Sequence, residues 1–203
     1  AQISFHGMLE ELQEECRREA AAGYMPNVRF GQIAVKDAKF RTFIADAAAR
    51  RDFYMHIYDV TYGLLRPGSD TLVVIDDSIV RGNTMRNAIL PILDRLGPRR
   101  IVVASAAPPI RYPDCYGIDM SRLGDFVAFR AAIELLKEHG MHDVIDDVYR
   151  KAKIQMGLER SEAVNCVKKI YEPFTDEEIS SKIAQIVTAP DIHAGIEVIY
   201  QSV

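Results

Sequence analysis

The sequence predicts an α/β protein: a mostly parallel sheet flanked by helices, with a helical C-terminal extension. Three observations predict it. Short β-branched runs at residues 72–75 (LVVI) and 100–105 (RIVVAS) read as strands buried on both faces. Between them Met85, Ile89, Leu90, Ile92 and Leu93 keep helical spacing, so strand, helix and strand follow one another as a parallel βαβ unit. From Leu123 onward the apolar spacing is helical throughout. The expected division is therefore an α/β domain over residues 1–122 and a helical extension over 123–203.

The elements follow in order. Phe5, Met8, Leu9, Leu12 and Cys16 predict an amphipathic helix over residues 4–22, closed by Gly23. Residues 29–35 are a weak strand candidate, followed by a basic cluster of Lys36, Lys39 and Arg41. Residues 47–52 read as a loop, and 53–60 (FYMHIYDV) as the next strand. His56 alternates within that strand, facing either solvent or a ligand. Residues 66–70 (RPGSD) form a turn, and Gly97 closes the helix that follows the central strand. Pro91 lies inside that helix and is expected to kink it, since a mid-helix proline costs about 3 kcal/mol.

After residue 105 comes a stiff, proline-rich loop, PPIRYPDCYGID. Loops beyond the C-terminal ends of strands are where open α/β sheets place ligand contacts. Arg111, Tyr116 and Asp119 are the candidates there, either touching ligand or orienting the loop itself. Helices are then expected over 123–139, 142–156 and 161–171. Thr175 and Glu178 form a capping box that opens another helix. Ile192, Ile196 and Ile199 suggest a last helix, with Pro190 near its first turn.

The chemistry concentrates in residues 71–85, TLVVIDDSIVRGNTM. A buried strand ends in two adjacent carboxylates, Asp76 and Asp77. A small-residue loop then runs straight into a helix, whose first backbone N–H groups and dipole suit a phosphate. Gly82 permits close approach of the backbone, while Ser78 and Thr84 add hydroxyl donors. Two neighbouring acids repel unless something shares them, and sugar hydroxyls or a hydrated divalent cation would do so. Together these features describe a ribose 5-phosphate pocket. The competing readings are a turn with a plain N-cap, or a receiver domain. A receiver's acidic pair, however, ends the first strand and is followed by no Gly-x-Thr loop.

These residues carry a resemblance. VVIDDSIVRGNTM resembles the phosphoribosyl-pyrophosphate (PRPP) loop of type I phosphoribosyltransferases, and DDSIVRG is closer still to the glutamine amidophosphoribosyltransferases. Residues 41–44 (RTFI), 105–109 (SAAPP) and 116–119 (YGID) occur in that family in the same order and at similar spacing. The matches cover roughly residues 1–130 of the chain. The resemblance implies a phosphoribosyltransferase domain that transfers ammonia to C1 of PRPP with release of pyrophosphate, the first step of purine synthesis. It also implies Mg²⁺ brought with PRPP, a glutaminase domain upstream, purine nucleotide inhibitors and a homo-oligomer, while three widely separated cysteines with no CxxC pair fit a cytoplasmic location. Asp76 and Asp77 would hold ribose hydroxyls or hydrated Mg²⁺. Ser78, Val80, Arg81, Gly82, Asn83 and Thr84 would cradle the 5-phosphate, and Arg41 would clamp pyrophosphate. The chain departs from the family where an Arg and a Lys are usual, near Tyr54 and His56. Asn83 also stands where a hydroxyl residue is common. These departures support an alternative, a PRPP- or purine-nucleotide-binding module without turnover. Some family members hold an iron–sulfur cluster. Such clusters need four cysteine ligands, and Cys16, Cys115 and Cys166 are the only cysteines, so none is expected.

Composition bounds the rest. The 203 residues are 48% hydrophobic and 27% charged with a net charge of −4, as in globular proteins of ordinary solubility. Basic residues are scattered rather than striped, so nucleic acid is not an expected partner. No apolar run approaches a membrane span, and no signal peptide is evident. The start at Ala1, running straight into a helical pattern, suggests an excised or processed chain.

Overall fold

The computed structural model describes residues 63–114, 120–155, 157, 162 and 164–201, together with Arg29 and the backbone of Ala34–Lys36 (β1) and Tyr58–Val60 (β2). The expected helix over 4–22 and the loop over 47–52 lie outside the described residues. The two short strands β1 and β2 pair antiparallel.

The main sheet is parallel and has the order β3 (Thr71–Asp76), β4 (Arg100–Ser105), β5 (Gly195–Tyr200). Its register aligns Asp76 with Ser105 and Ser105 with Tyr200, so all three strands end level at the C-terminal edge. Leu72, Ile101, Val103 and Val198 are buried in one cluster with the helices α2 (Val127–Glu138) and α5 (Asp176–Val187). These helices pack on one another, and Val127, Ala131 and Leu135 of one and Ile179, Ile183 and Val187 of the other are buried in the same cluster. The observed architecture is thus a parallel sheet flanked by helices. Among the described residues, no helix is long and apolar enough to cross a membrane.

The β-branched runs 72–75 and 100–105 form strands as expected, but they are not buried on both faces: Leu72, Ile101 and Val103 are buried, while Val73 is 53% exposed. Between them the chain is helical from residue 83, but not uniformly. Met85–Ile89 is a π-turn, closed by the Leu90 N–H donating to the Met85 carbonyl, and α1 (Leu90–Asp94) follows. Pro91 stands in the first turn of α1. The expected kink therefore appears as a wide turn. A proline ring collides with the carbonyl four residues back, and one π-turn shifts that carbonyl away. Gly97 (φ 70°) and Gly140 (φ 70°) end their helices as expected.

α3 (His142–Gln155) agrees with its sequence pattern, and so does the capping box of α5. There Thr175 Oγ1 accepts from the Glu178 N–H, and Glu178 Oε2 accepts from the Thr175 N–H. Two segments differ. Of the helix expected over 161–171, residues 161 and 163 lie outside the described residues and Lys168–Tyr171 forms α4; before it, Asn165 Oδ1 accepts from the Val167 N–H and offers the backbone a turn instead. The helix expected from Ile192, Ile196 and Ile199 is strand β5. Its spacing fits a helix, but six residues rich in β-branched side chains pair with the open edge of β4, and this tertiary pairing overrides the local period. Between residues 123 and 187 the described elements are all helical, and residues 195–200 then supply the third strand of the sheet.

Candidate functional site

Asp76 closes β3, and everything from Asp77 to Thr84 lies beyond the C-terminal edge of the sheet. The loop is fixed at its near end by backbone. The Asp76 carbonyl accepts from the Ala106 N–H at 2.9 Å, joining the ends of β3 and β4. The Asp77 N–H turns back to Asp76 Oδ1 at 3.0 Å, and Ser78 Oγ lies 3.4 Å from Asp77 Oδ1. Burial pushes the Asp76 carboxyl above the usual carboxylate range. The bond from the Asp77 N–H opposes that rise, and the Asp77 charge adds to it. Asp77 itself is exposed. The pair therefore holds one half-buried acid and one in solvent, side by side.

Ile79 anchors the loop inward at 4% exposure. The Val80 carbonyl accepts from the Val127 N–H at 2.9 Å, which ties the loop to the first residue of α2. Arg81 pairs with Asp125 at 3.7 Å. Gly82 has φ +74°, and a Cβ there would stand 2.8 Å from Val187 Cγ1 and 3.4 Å from Val127 Cγ2. The glycine is thus required by backbone conformation and by close packing on α2 and α5. Asn83 and Thr84 are exposed and begin the helix, and the Arg86 N–H makes its bond to the Gly82 carbonyl at 2.9 Å. Thr84 has helical φ and ψ and its side chain makes no capping bond.

The loop after β4 is stiffened locally. Ser105 Oγ donates to the Ala107 carbonyl at 2.8 Å. Arg111 forms an ion pair with Asp176 at the start of α5, lies 5.2 Å over the Tyr171 ring, and accepts at its carbonyl from the Tyr171 hydroxyl at 2.8 Å. Every described contact of Arg111 thus orients the loop on the helices. Arg41, His56, Tyr116 and Asp119 lie outside the described residues, as do Tyr54, Cys16 and Cys115. Sequence reasoning missed Arg86, Asp125, Val127, Tyr171 and Val187, all of which hold the two loops. They stand in ordinary helical positions and form no motif, so only their tertiary contacts identify them.

Among the described residues no group of three or more His, Cys, Asp or Glu side chains could hold a metal ion. Asp76 and Asp77 alone suit a cation that keeps most of its ligands from water and substrate, as Mg²⁺ does. A groove of about 890 Å³ runs along β5 and the outer side of α5, past Ser180, Ala184, Thr188 and Ile199, and includes none of residues 76–84.

No protein-family model matches the chain. It is similar to curated amidophosphoribosyltransferases over part of its length. The protein from Pyrococcus horikoshii is 45% identical over 67 residues, which are 33% of this chain and 15% of that protein. The protein from Mycobacterium tuberculosis is 35% identical over 117 residues, 54% of this chain and 21% of that protein. Among solved structures, the glutamine PRPP amidotransferase from B. subtilis, complexed with ADP and GMP, is 31% identical over 53% of this chain and 24% of that one, with a TM-score of 0.37. The resemblance seen in the motifs thus recurs in sequence matches over a third to about half of this chain. The matched stretch spans about a seventh to a fifth of the length of these curated relatives.

Proposed function

We propose that this chain, similar in part to amidophosphoribosyltransferases, is the phosphoribosyltransferase portion of such an enzyme. Ammonia would attack C1 of PRPP with its lone pair. The bond from C1 to the pyrophosphate oxygen breaks, that electron pair leaves on pyrophosphate, and a proton is lost from nitrogen. The observation that carries this reading is the acidic pair Asp76–Asp77 at the end of a parallel strand, with Ser78 to Thr84 leading directly into a helix.

In this reading the 5-phosphate lies against Ser78, Val80, Arg81, Gly82, Asn83 and Thr84, where the start of a helix offers N–H groups and the positive end of its dipole. Exposed Asp77 meets the ribose hydroxyls. Half-buried Asp76, whose raised pKa reflects an uncompensated charge, gains most from a shared cation or diol. These two carboxylates would hold Mg²⁺, which when bound supplies neutralisation of charge on the pyrophosphate. No side-chain nucleophile is required, so catalysis rests on positioning and electrostatics. Arg41 is assigned to the pyrophosphate, and Arg111 acts through the loop it anchors. With three separated cysteines, an iron–sulfur cluster has no place in the proposal. Ammonia would come from a glutaminase domain elsewhere in a longer, cytoplasmic and oligomeric protein, inhibited by purine nucleotides.

The test is to incubate the chain with PRPP, Mg²⁺ and either an ammonium salt or glutamine, and to follow pyrophosphate and glutamate. Ammonium should support pyrophosphate release, faster at alkaline pH where ammonia is unprotonated, and glutamine should yield no glutamate. Calorimetric PRPP binding without turnover would replace this reading by a binding module. Absence of both binding and turnover would end it.

A further inference from the structure

The C-terminal end of α5 lies directly behind the loop that the sequence motif marks. Arg86, one turn into the helix after the loop, donates from Nη1 to the carbonyls of Ile186 and, at 3.0 Å, Thr188. These carbonyls belong to the last turn of α5 and the residue beyond it, where helices leave acceptors without intrahelical donors and where a cation is favoured. The two N–H groups of this one nitrogen are divided between the two acceptors, and the guanidinium charge sits at the negative end of the helix. Next to this contact, Val187 fills the space over Gly82 so tightly that even a methyl group on the glycine would stand 2.8 Å away. Thr188 Oγ1 secures the same turn by donating to the Ala184 carbonyl at 2.6 Å. A helix opened by its capping box at Thr175 thus ends as a wall against residues 82–86.

We propose that Arg86 and Val187 are positioning residues: together they hold the backbone of residues 80–86 against the end of α5, so that the loop presents its N–H groups to a phosphate already arranged. This rests on the phosphoribosyl reading of the loop. Neither residue touches the ligand. Their effect is preorganisation, since a loop that must first be ordered binds more weakly by the cost of ordering it.

The experiment compares four variants of the 203-residue chain. Arg86→Met removes the charge and the donors, Arg86→Lys keeps the charge and N–H donors on a shorter side chain of different shape, and Val187→Ala opens the space behind Gly82. Lys182→Met is the control. It breaks the α5–α2 ion pair of Lys182 with Glu138 at 2.7 Å, away from the loop. Amide hydrogen exchange over residues 80–86 and calorimetric affinity for ribose 5-phosphate are measured for each. Arg86→Met should exchange about tenfold faster there and bind about tenfold more weakly, a difference of about 1.4 kcal/mol. Arg86→Lys should fall between it and the wild type, and Val187→Ala should move the same way. Lys182→Met should lower thermal stability with loop exchange and affinity unchanged. The proposal is overturned if Arg86→Met exchanges like the wild type, if its exchange rises with affinity unchanged, or if Lys182→Met loses as much affinity. A wild type that binds no ribose 5-phosphate would sink the phosphoribosyl reading itself, and the ligand role of Arg86 and Val187 with it. The exchange comparison would then still report whether α5 holds the loop.

Discussion

At the scale of single residues, Asp76 and Gly82 carry opposite lessons. Asp76 is held in a half-buried position that disfavours its charge. A carboxyl whose folded pKa is raised stabilises the fold while protonated, and that contribution is lost as pH rises from the unfolded value of 3.8 through the folded one. Asp76→Asn should therefore raise the melting temperature at neutral pH, with the gain vanishing below about pH 3.8, while Asp76→Asn with Asp77→Asn abolishes Mg²⁺-dependent PRPP binding. Thermal scans from pH 3 to 8 and a calorimetric titration check both halves, and undiminished PRPP affinity would refute the assigned role. Gly82→Ala meets two obstacles. A positive φ costs an alanine about 1–2 kcal/mol, and the new methyl would press on Val187. Adding Val187→Ala should recover the steric part only. Chemical denaturation of the single and double variants measures the split, and full recovery in the double variant would mean that φ is not strained.

At the scale of elements, β5 is the informative case. Ile192, Ile196 and Ile199 repeat at helical spacing, yet Ile196, Val198 and Tyr200 also alternate as a strand does. A short apolar run does not settle the matter by periodicity alone. Pairing with β4 does, and it leaves Ile199 48% exposed on the sheet surface. Ile199→Ala distinguishes the two states. Alanine favours a helix and disfavours a strand, so the variant should lose up to about 1 kcal/mol by denaturant titration. A gain in stability would contradict the strand. The π-turn before Pro91 is a second element that sequence reasoning located but described as a kink, because the relief chosen for a proline depends on what packs around the helix. Here Met85 and Ala88 are buried against the core and keep the helix on course.

At the scale of the whole molecule, α2, α5, β3, β4 and β5 contribute to one hydrophobic cluster, so the marked loop and the C-terminal residues stand or fall together. Unfolding should be a single cooperative transition. Removing residues 188–203 would strip β4 of one of its two partner strands and expose Val103, now fully buried. The truncated chain should therefore lose that transition by circular dichroism. Retention of a cooperative melt with residues 76–86 still protected from exchange would show that the sheet and loop do not need β5.

Some of this was settled by the sequence alone. Residues 72–75, 100–105 and 175–178, the acidic pair and the glycine of the loop are governed by local physics: β-branched propensity, capping geometry, like charges one residue apart, and the only side chain tolerant of positive φ. Such features are encoded within a few neighbouring positions and can be read there. What only the tertiary structure decided is what lies behind the loop and at the edge of β4. Val127, Arg86, Val187 and Arg111 act through partners 47, 102, 105 and 65 residues away. Contacts at such separations leave no period or spacing in a single sequence. Their identity follows from how the chain closes on itself, where burial and pairing outweigh local preference.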